Sequence, residues 1–168
     1  MIKYINQISE PTALPVTVNE MKTFLRIKHD EEDLLLAGLI GAARDIIEEY
    51  VGISTCPQTW EVGLILSGEN RLPRPPIVDV ISFMVDGVEV DPSKYVLSTK
   101  MLVINDSALI NKFGVIKYIA GTDTFKEWVR TATLLIVTNM YENRQGEAMK
   151  NVVEVAANIL NPHREMWL

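Results

Sequence analysis

The hydrophobic pattern of this chain changes period twice, and that change limits what it can fold into more than any other feature. From Thr17 to Val51 apolar residues recur at helical spacing; from Cys56 to Ala120 they alternate or form short runs; from Phe125 to Met140 the helical spacing returns. The pattern predicts an α+β fold, mainly helical, in which an antiparallel helix bundle carries an inserted small antiparallel β-sheet at about 56–120. The long helix is expected at about 31–51 and a second at about 125–142, with short helices near the termini. At 168 residues the chain is expected to be a single domain, 1–168.

Thr17-Val18-Asn19-Glu20 is a capping-box signature, and Val18, Met21, Phe24 and Leu25 give the short helix behind it one apolar face. Asp30 is placed to cap the long helix, with acids in its first turn suited to the positive helix end. Leu35, Leu36, Leu39, Ile40, Ala43, Ile46, Ile47, Tyr50 and Val51 cover a wider arc than one core requires, so two packing surfaces are expected. Gly38, Gly41 and Ala42 form a small-residue patch that would let another helix approach closely, and Gly52 is a natural stop. Thr124 to Glu127 reads as a second capping box, followed by the stripe Phe125, Trp128, Val129, Ala132, Leu135, Ile136 and Met140, which is expected beside the long helix. A final helix is expected near Val152 to Leu160, before Pro162.

Within the sheet region Trp60, Val62, Leu64 and Leu66 alternate as one strand. The breaker cluster Arg71 to Pro76 must be an extended connector or a covered edge. Val78 to Val85, Asp86-Gly87 and Val88 to Val90 form a hairpin around a type I′ turn, and further strands are expected at Tyr95 to Ser98, Met101 to Ile104 and Val115 to Ala120.

The 48% hydrophobic content rules out disorder throughout, and no apolar run approaches the roughly 18 residues of a membrane span, so no membrane role is expected. With no apolar leader near Met1, a cytosolic origin is expected. A net charge of -6 argues against general attachment to nucleic acid, which needs clustered cations. Cys56 is the only cysteine, so no internal disulfide forms, and it reads as a small buried thiol rather than a nucleophile. His29 and His163 lack motif partners, and Asp30 to Asp33 lacks the spaced oxygens of a calcium loop. Phosphate-binding loops, nucleophile elbows and zinc-hydrolase pairs are all absent from the sequence, so no catalytic residue, cofactor or metal is expected. Arg71 and Arg74 read as solvated groups, and Trp60 and Trp128 as core.

Met166, Trp167 and Leu168 form an apolar carboxyl-terminal segment beyond Pro162, which either the chain's own subunit or a partner must cover.

Several segments, taken in order, resemble tailed-phage head-tail connectors, also called head-completion adaptors. They are Leu14 to Ile27, Asp30 to Leu36, Ala42 to Gly52, Gln58 to Trp60, Leu72 to Pro76, Tyr118 to Gly121 and Leu160 to Arg164, together covering nearly the whole chain. The resemblance implies a non-enzymatic virion protein, assembled in the bacterial host cytoplasm and located at the head-tail junction. It implies a ring of about twelve copies under the portal protein, with DNA passing through the channel without sequence-specific binding and a stopper or tail-completion protein docking below. It assigns portal contact to the tail from Asn161 to Leu168, with His163, Arg164, Met166, Trp167 and Leu168 as candidates. Leu35, Gly38, Gly41 and Ala42 are the candidate subunit-interface residues on the long helix. The alternative is a phage- or prophage-encoded protein-binding module without a ring role.

Overall fold

The computed structural model describes residues 1–11, 13–143 and 152–165, with only the backbone at Val152. It divides into two compact units, one of Met1–Pro11 with Cys56–Asp123 and one of Thr12–Thr55 with Thr124–Leu168.

The first unit is built from strands. β1 (Ile2–Gln7), β2 (Gln58–Ile65), β8 (Phe113–Ala120), β4 (Ile77–Val85) and β5 (Val88–Glu89) lie side by side in that order, and β3 (Glu69–Arg71), β7 (Met101–Ile104) and β6 (Tyr95–Leu97) form a second sheet. Every pairing is antiparallel. The two-residue period makes Trp60, Val62 and Leu64 of β2 share a face with Ile116 and Tyr118 of β8. Phe83 and Val85 of β4 join them, and Leu102 and Ile104 of the second sheet complete one core. Each fully buried Leu, Ile or Phe there contributes about 1.5–3 kcal/mol relative to exposure. Asp86 (φ 52°) and Gly87 (φ 80°) are both left-handed, as the type I′ turn demands.

Two details differ from the sequence reading. The sheet gains β1 from the amino end, a strand that the sequence pattern did not indicate. Its pairing with β2 slips between Ile2 and Tyr4, so its alternation is broken. Gly63 leaves room for the Tyr4 ring, since a Cβ there would stand 2.2 Å from Tyr4 Cε1. Arg74 is not a solvated group: its guanidinium lies 5.2 Å from the centre of the Trp60 ring, a cation–π contact.

The second unit is helical. Four α-helices are seen among the described residues: α1 (Val18–Leu25), α2 (Asp33–Val51), α3 (Glu127–Glu142) and α4 (Val152–Leu160). The Thr17–Glu20 capping box forms in both directions, Glu20 N–H donating to Thr17 Oγ1 at 3.2 Å and Thr17 N–H to Glu20 Oε2 at 2.7 Å. Met21, Leu36, Ile40, Ala43 and Ile47 meet Ala132, Ile136 and Val137 of α3 and Ala156 and Leu160 of α4 in one core. Gly52, at φ 78°, ends α2.

Two expected caps are replaced. Asp30 does not cap α2; it pairs with Lys22, as does Asp33 at 2.8 Å, and α2 begins after Glu32 without a side-chain cap. The box expected at Thr124 also fails, because α3 starts after Lys126 and Glu127 falls in its first turn rather than at the third position. Phe24, expected on the buried face of α1, is half exposed. The α+β class with antiparallel sheets stands, and the eight strands seen among the described residues form a unit of their own beside the helical one.

Candidate functional site

α2 buries one face in the helical core and leaves another uncovered. Leu34 is 91% exposed and Leu35 42%. Gly38 is exposed, Gly41 and Ala42 are half-buried, and a Cβ built on either glycine would meet nothing within 4 Å. Of the four interface candidates, Leu35 and Gly38 thus lie open, with Gly41 and Ala42 one turn further along. Leu34 was legible in the sequence only as part of an apolar run. Its position four residues before Gly38 was the signal that would have added it to the set.

The tail candidates are brought against their own helical unit as far as the structure describes them. The His163 ring stacks on Trp128 with centroids 4.3 Å apart and planes 11° from parallel. Arg164 places its guanidinium 5.1 Å from the centre of the Tyr50 ring, and the Tyr50 hydroxyl donates to Asn161 Oδ1 at 2.6 Å. Glu165 N–H donates to the Val51 carbonyl at 2.7 Å. Both rings and the guanidinium are edges of an anchored segment, not a loose one. Met166, Trp167 and Leu168 lie outside the described residues. Trp128 is partly buried in the helical core, as the sequence suggested, and its Nε1 has no acceptor among the described residues.

Electrostatics in this unit tie α1 to α3. Arg130 of α3 donates to the Pro15 carbonyl at 2.8 Å and to Glu20 Oε1 at 2.5 Å. The Thr17 amide, the Arg130 guanidinium and the Thr17 hydroxyl together hold the Glu20 carboxyl down at about 2. In the sheet unit, burial pushes the Tyr118 phenol well above its ordinary 10.0, and its hydroxyl donates to the Pro73 carbonyl at 2.8 Å. Cys56 is buried, as expected. Among the described residues no group of His, Cys, Asp and Glu could hold a metal ion, and no helix is long and apolar enough to cross a membrane.

What this arrangement offers is surface: an open helix face and a tail anchored by aromatic contacts. The class it defines is that of an assembly protein. The chain belongs to the phage gp6-like head-tail connector family, whose model matches residues 15–162, and with that family it is a structural virion connector protein rather than an enzyme. Among solved structures, a chain from the neck of an empty gene transfer agent particle computed with C6 symmetry is 18% identical. The match covers 99% of this chain and 97% of that one at a TM-score of 0.75. A chain from the virion of the native gene transfer agent particle is 16% identical, with the same coverage and a TM-score of 0.78. One from the neck of the native particle computed with C12 symmetry is 18% identical, again with the same coverage, at a TM-score of 0.72. These likenesses establish a shared fold. No curated protein matches the chain significantly.

Proposed function

We propose that this chain is a head-tail connector that assembles as a ring of about twelve copies beneath the portal protein, extends the DNA channel and gives a stopper or tail-completion protein its platform. The observation that carries the reading is the family match, which runs through both units from residue 15 to residue 162. The gene transfer agent necks with C6 and C12 symmetry support the ring. An open apolar face on α2 supports it too, because Leu34 and Leu35 left in water cost free energy that a neighbouring copy would recover.

In this reading Leu35, Gly38, Gly41 and Ala42 take part in the subunit contact, α2 and α3 run antiparallel in the helix bundle, and the protein resides at the head-tail junction after assembly in the host cytoplasm. His163 and Arg164, fixed on Trp128 and Tyr50, make the portal contact together with Met166, Trp167 and Leu168. A net charge of -6 per copy, repeated around a channel whose wall carries acids, repels the DNA backbone and lets it slide.

The test is a pull-down with the portal protein of the same phage or prophage, followed by negative-stain imaging of the complex. Rings on the portal are expected. Binding of another protein with no ring in any preparation would favour the module without a ring role.

A further inference from the structure

Resting on the ring reading, we propose that copies join through their sheets: β1 of one copy lies in the groove beside β4 of the next, with Lys3 among Asp79, Glu89 and Asp91.

The five-stranded sheet ends in two edges of different character. Among the described residues β1 is paired only with β2. At the other end β5 pairs with β4 only at Met84 and Val85, and two further bonds, Val90 N–H to the Phe83 carbonyl and Ile77 N–H to the Thr99 carbonyl, close its corners. From Val78 to Ser82 the outer edge of β4 therefore pairs with no strand among the described residues. Along it runs a groove of about 340 Å³, with Ile81 and Phe83 on the β4 side and Glu89, Asp91 and Tyr95 across from them.

The two edges are complementary. The groove is polar and acidic with one exposed apolar side chain, Ile81, which is 49% exposed: Glu89 and Asp91 line it, and after burial itself Asp79, Glu89 and Asp91 are what raise the Tyr95 phenol. Lys94, the cation closest in sequence, has its ammonium on Asp106 at 3.1 Å and acts also on Asp91, whose carboxylate accepts from Ser93 N–H at 2.8 Å. Glu89 is thus the groove acid whose carboxylate no hydrogen bond or ion pair engages among the described residues. β1 offers the reverse. Lys3 is exposed between Ile2 and Ile5, 39% and 37% exposed, and no acid occurs from Met1 to Ser9.

Strand direction fits as well. Counting antiparallel steps from β1 through β2 and β8 to β4 makes β4 antiparallel to β1, so a copy rotated about a ring axis presents its β1 antiparallel to its neighbour's β4. Such a contact uses two different surfaces and closes by rotation, which is what a ring requires. β4 is irregular at Ile77/Asp79 and Val80/Ser82, and the Asp79 carboxylate already accepts from Val80 N–H at 2.8 Å. Recognition is thus by side chains rather than by a continuous backbone ladder, and the bulges guard the free edge against arbitrary strand pairing.

Charge reversal tests the join in the full-length chain. Lys3→Glu and Glu89→Lys, both at exposed positions, are followed by sedimentation velocity over a concentration series and by negative-stain imaging, alone and on portal particles, with circular dichroism to verify the fold. Each single reversal is expected to raise the concentration needed for half-assembly by about tenfold or more, the neutral Lys3→Gln and Glu89→Gln less, and the double reversal to restore assembly. Wild-type-like rings from both single variants, or no restoration by the pair, overturn this join and leave the ring intact. A wild-type chain that forms no ring even on the portal overturns the ring itself and the join with it.

Discussion

Gly121 is held at φ 101°, and a Cβ built on it would stand 1.9 Å from the Cys56 carbonyl oxygen. Neither the backbone angle nor the space tolerates a side chain, so Gly121→Ala is expected to cost about 3 kcal/mol or more, read as a lowered urea midpoint at unchanged slope. Such a position is invisible in a sequence, where this glycine reads only as the end of a strand region. Glu20 gives a prediction in pH. Its carboxyl is lowered from an ordinary 4.5 to about 2 in the fold, so the folded state holds fewer protons than the unfolded state between those values. The stability it adds is fully present above about pH 4.5 and disappears as pH falls toward 2. Replacing Glu20 by Gln is expected to flatten that part of the curve of thermal midpoint against pH; an unchanged curve would remove Glu20 as its source.

At the scale of the element, α2 separates folding from assembly. A methyl group at Gly38 meets open space in a helix interior, so Gly38→Ala is expected to stabilise the isolated chain by about 0.5–1 kcal/mol in denaturant unfolding. If the face is a subunit contact, the same variant assembles less readily, because the added group fills the hollow that lets a neighbour approach; rings formed as easily as by wild type would remove Gly38 from the contact. The tail is separable in the same way. Ending the chain after Glu165 keeps the Trp128–His163 stack and the Tyr50–Asn161 bond, and is expected to leave the melting temperature unchanged while weakening portal binding in a pull-down. Ending it after Leu160 removes both contacts and is expected to cost roughly 1–3 kcal/mol. A cut directly after Pro162 also loses the stack.

These elements show where sequence patterning succeeds. α2, α3, the hairpin and β8 were legible because each buries a face, and burial imposes a period of 3.6 or 2. β1 was not, since a bulge and an exposed edge leave no alternation to read. Thr124 and Asp30 carry the residue types of caps, but a cap also needs the helix to begin at the right residue. Lys22 claimed Asp30, and α3 began two residues late for the Thr124 box. The α2 interface candidates were legible as an excess of apolar and small residues, whereas the groove beside β4 was not, because its walls come from β4 and from residues 89–95 beyond the turn.

At the scale of the whole molecule, the chain enters the sheet unit at Gln58 and leaves it at Ala120, and those two residues are direct partners across β2 and β8. Neighbouring strands lie about 5 Å apart, so the entry and exit points are close enough to be bridged by a few glycines. We propose on that ground that the helical unit is the parent domain and the sheet an insertion supplemented by β1. A chain of residues 12–55 and 124–168 joined through a short glycine linker is then expected to show a helical spectrum and a cooperative melt, since its core of α2, α3 and α4 side chains remains complete. A spectrum without helix would mean that the helices need the strands to fold, and the insertion view would fall. The same chain divides the functional assignments. It keeps the tail, so it is expected to bind the portal; it lacks both β1 and β4, so it is expected to form no ring there. Rings built by the helical unit alone would instead locate the whole subunit contact on helical surfaces such as the open face of α2.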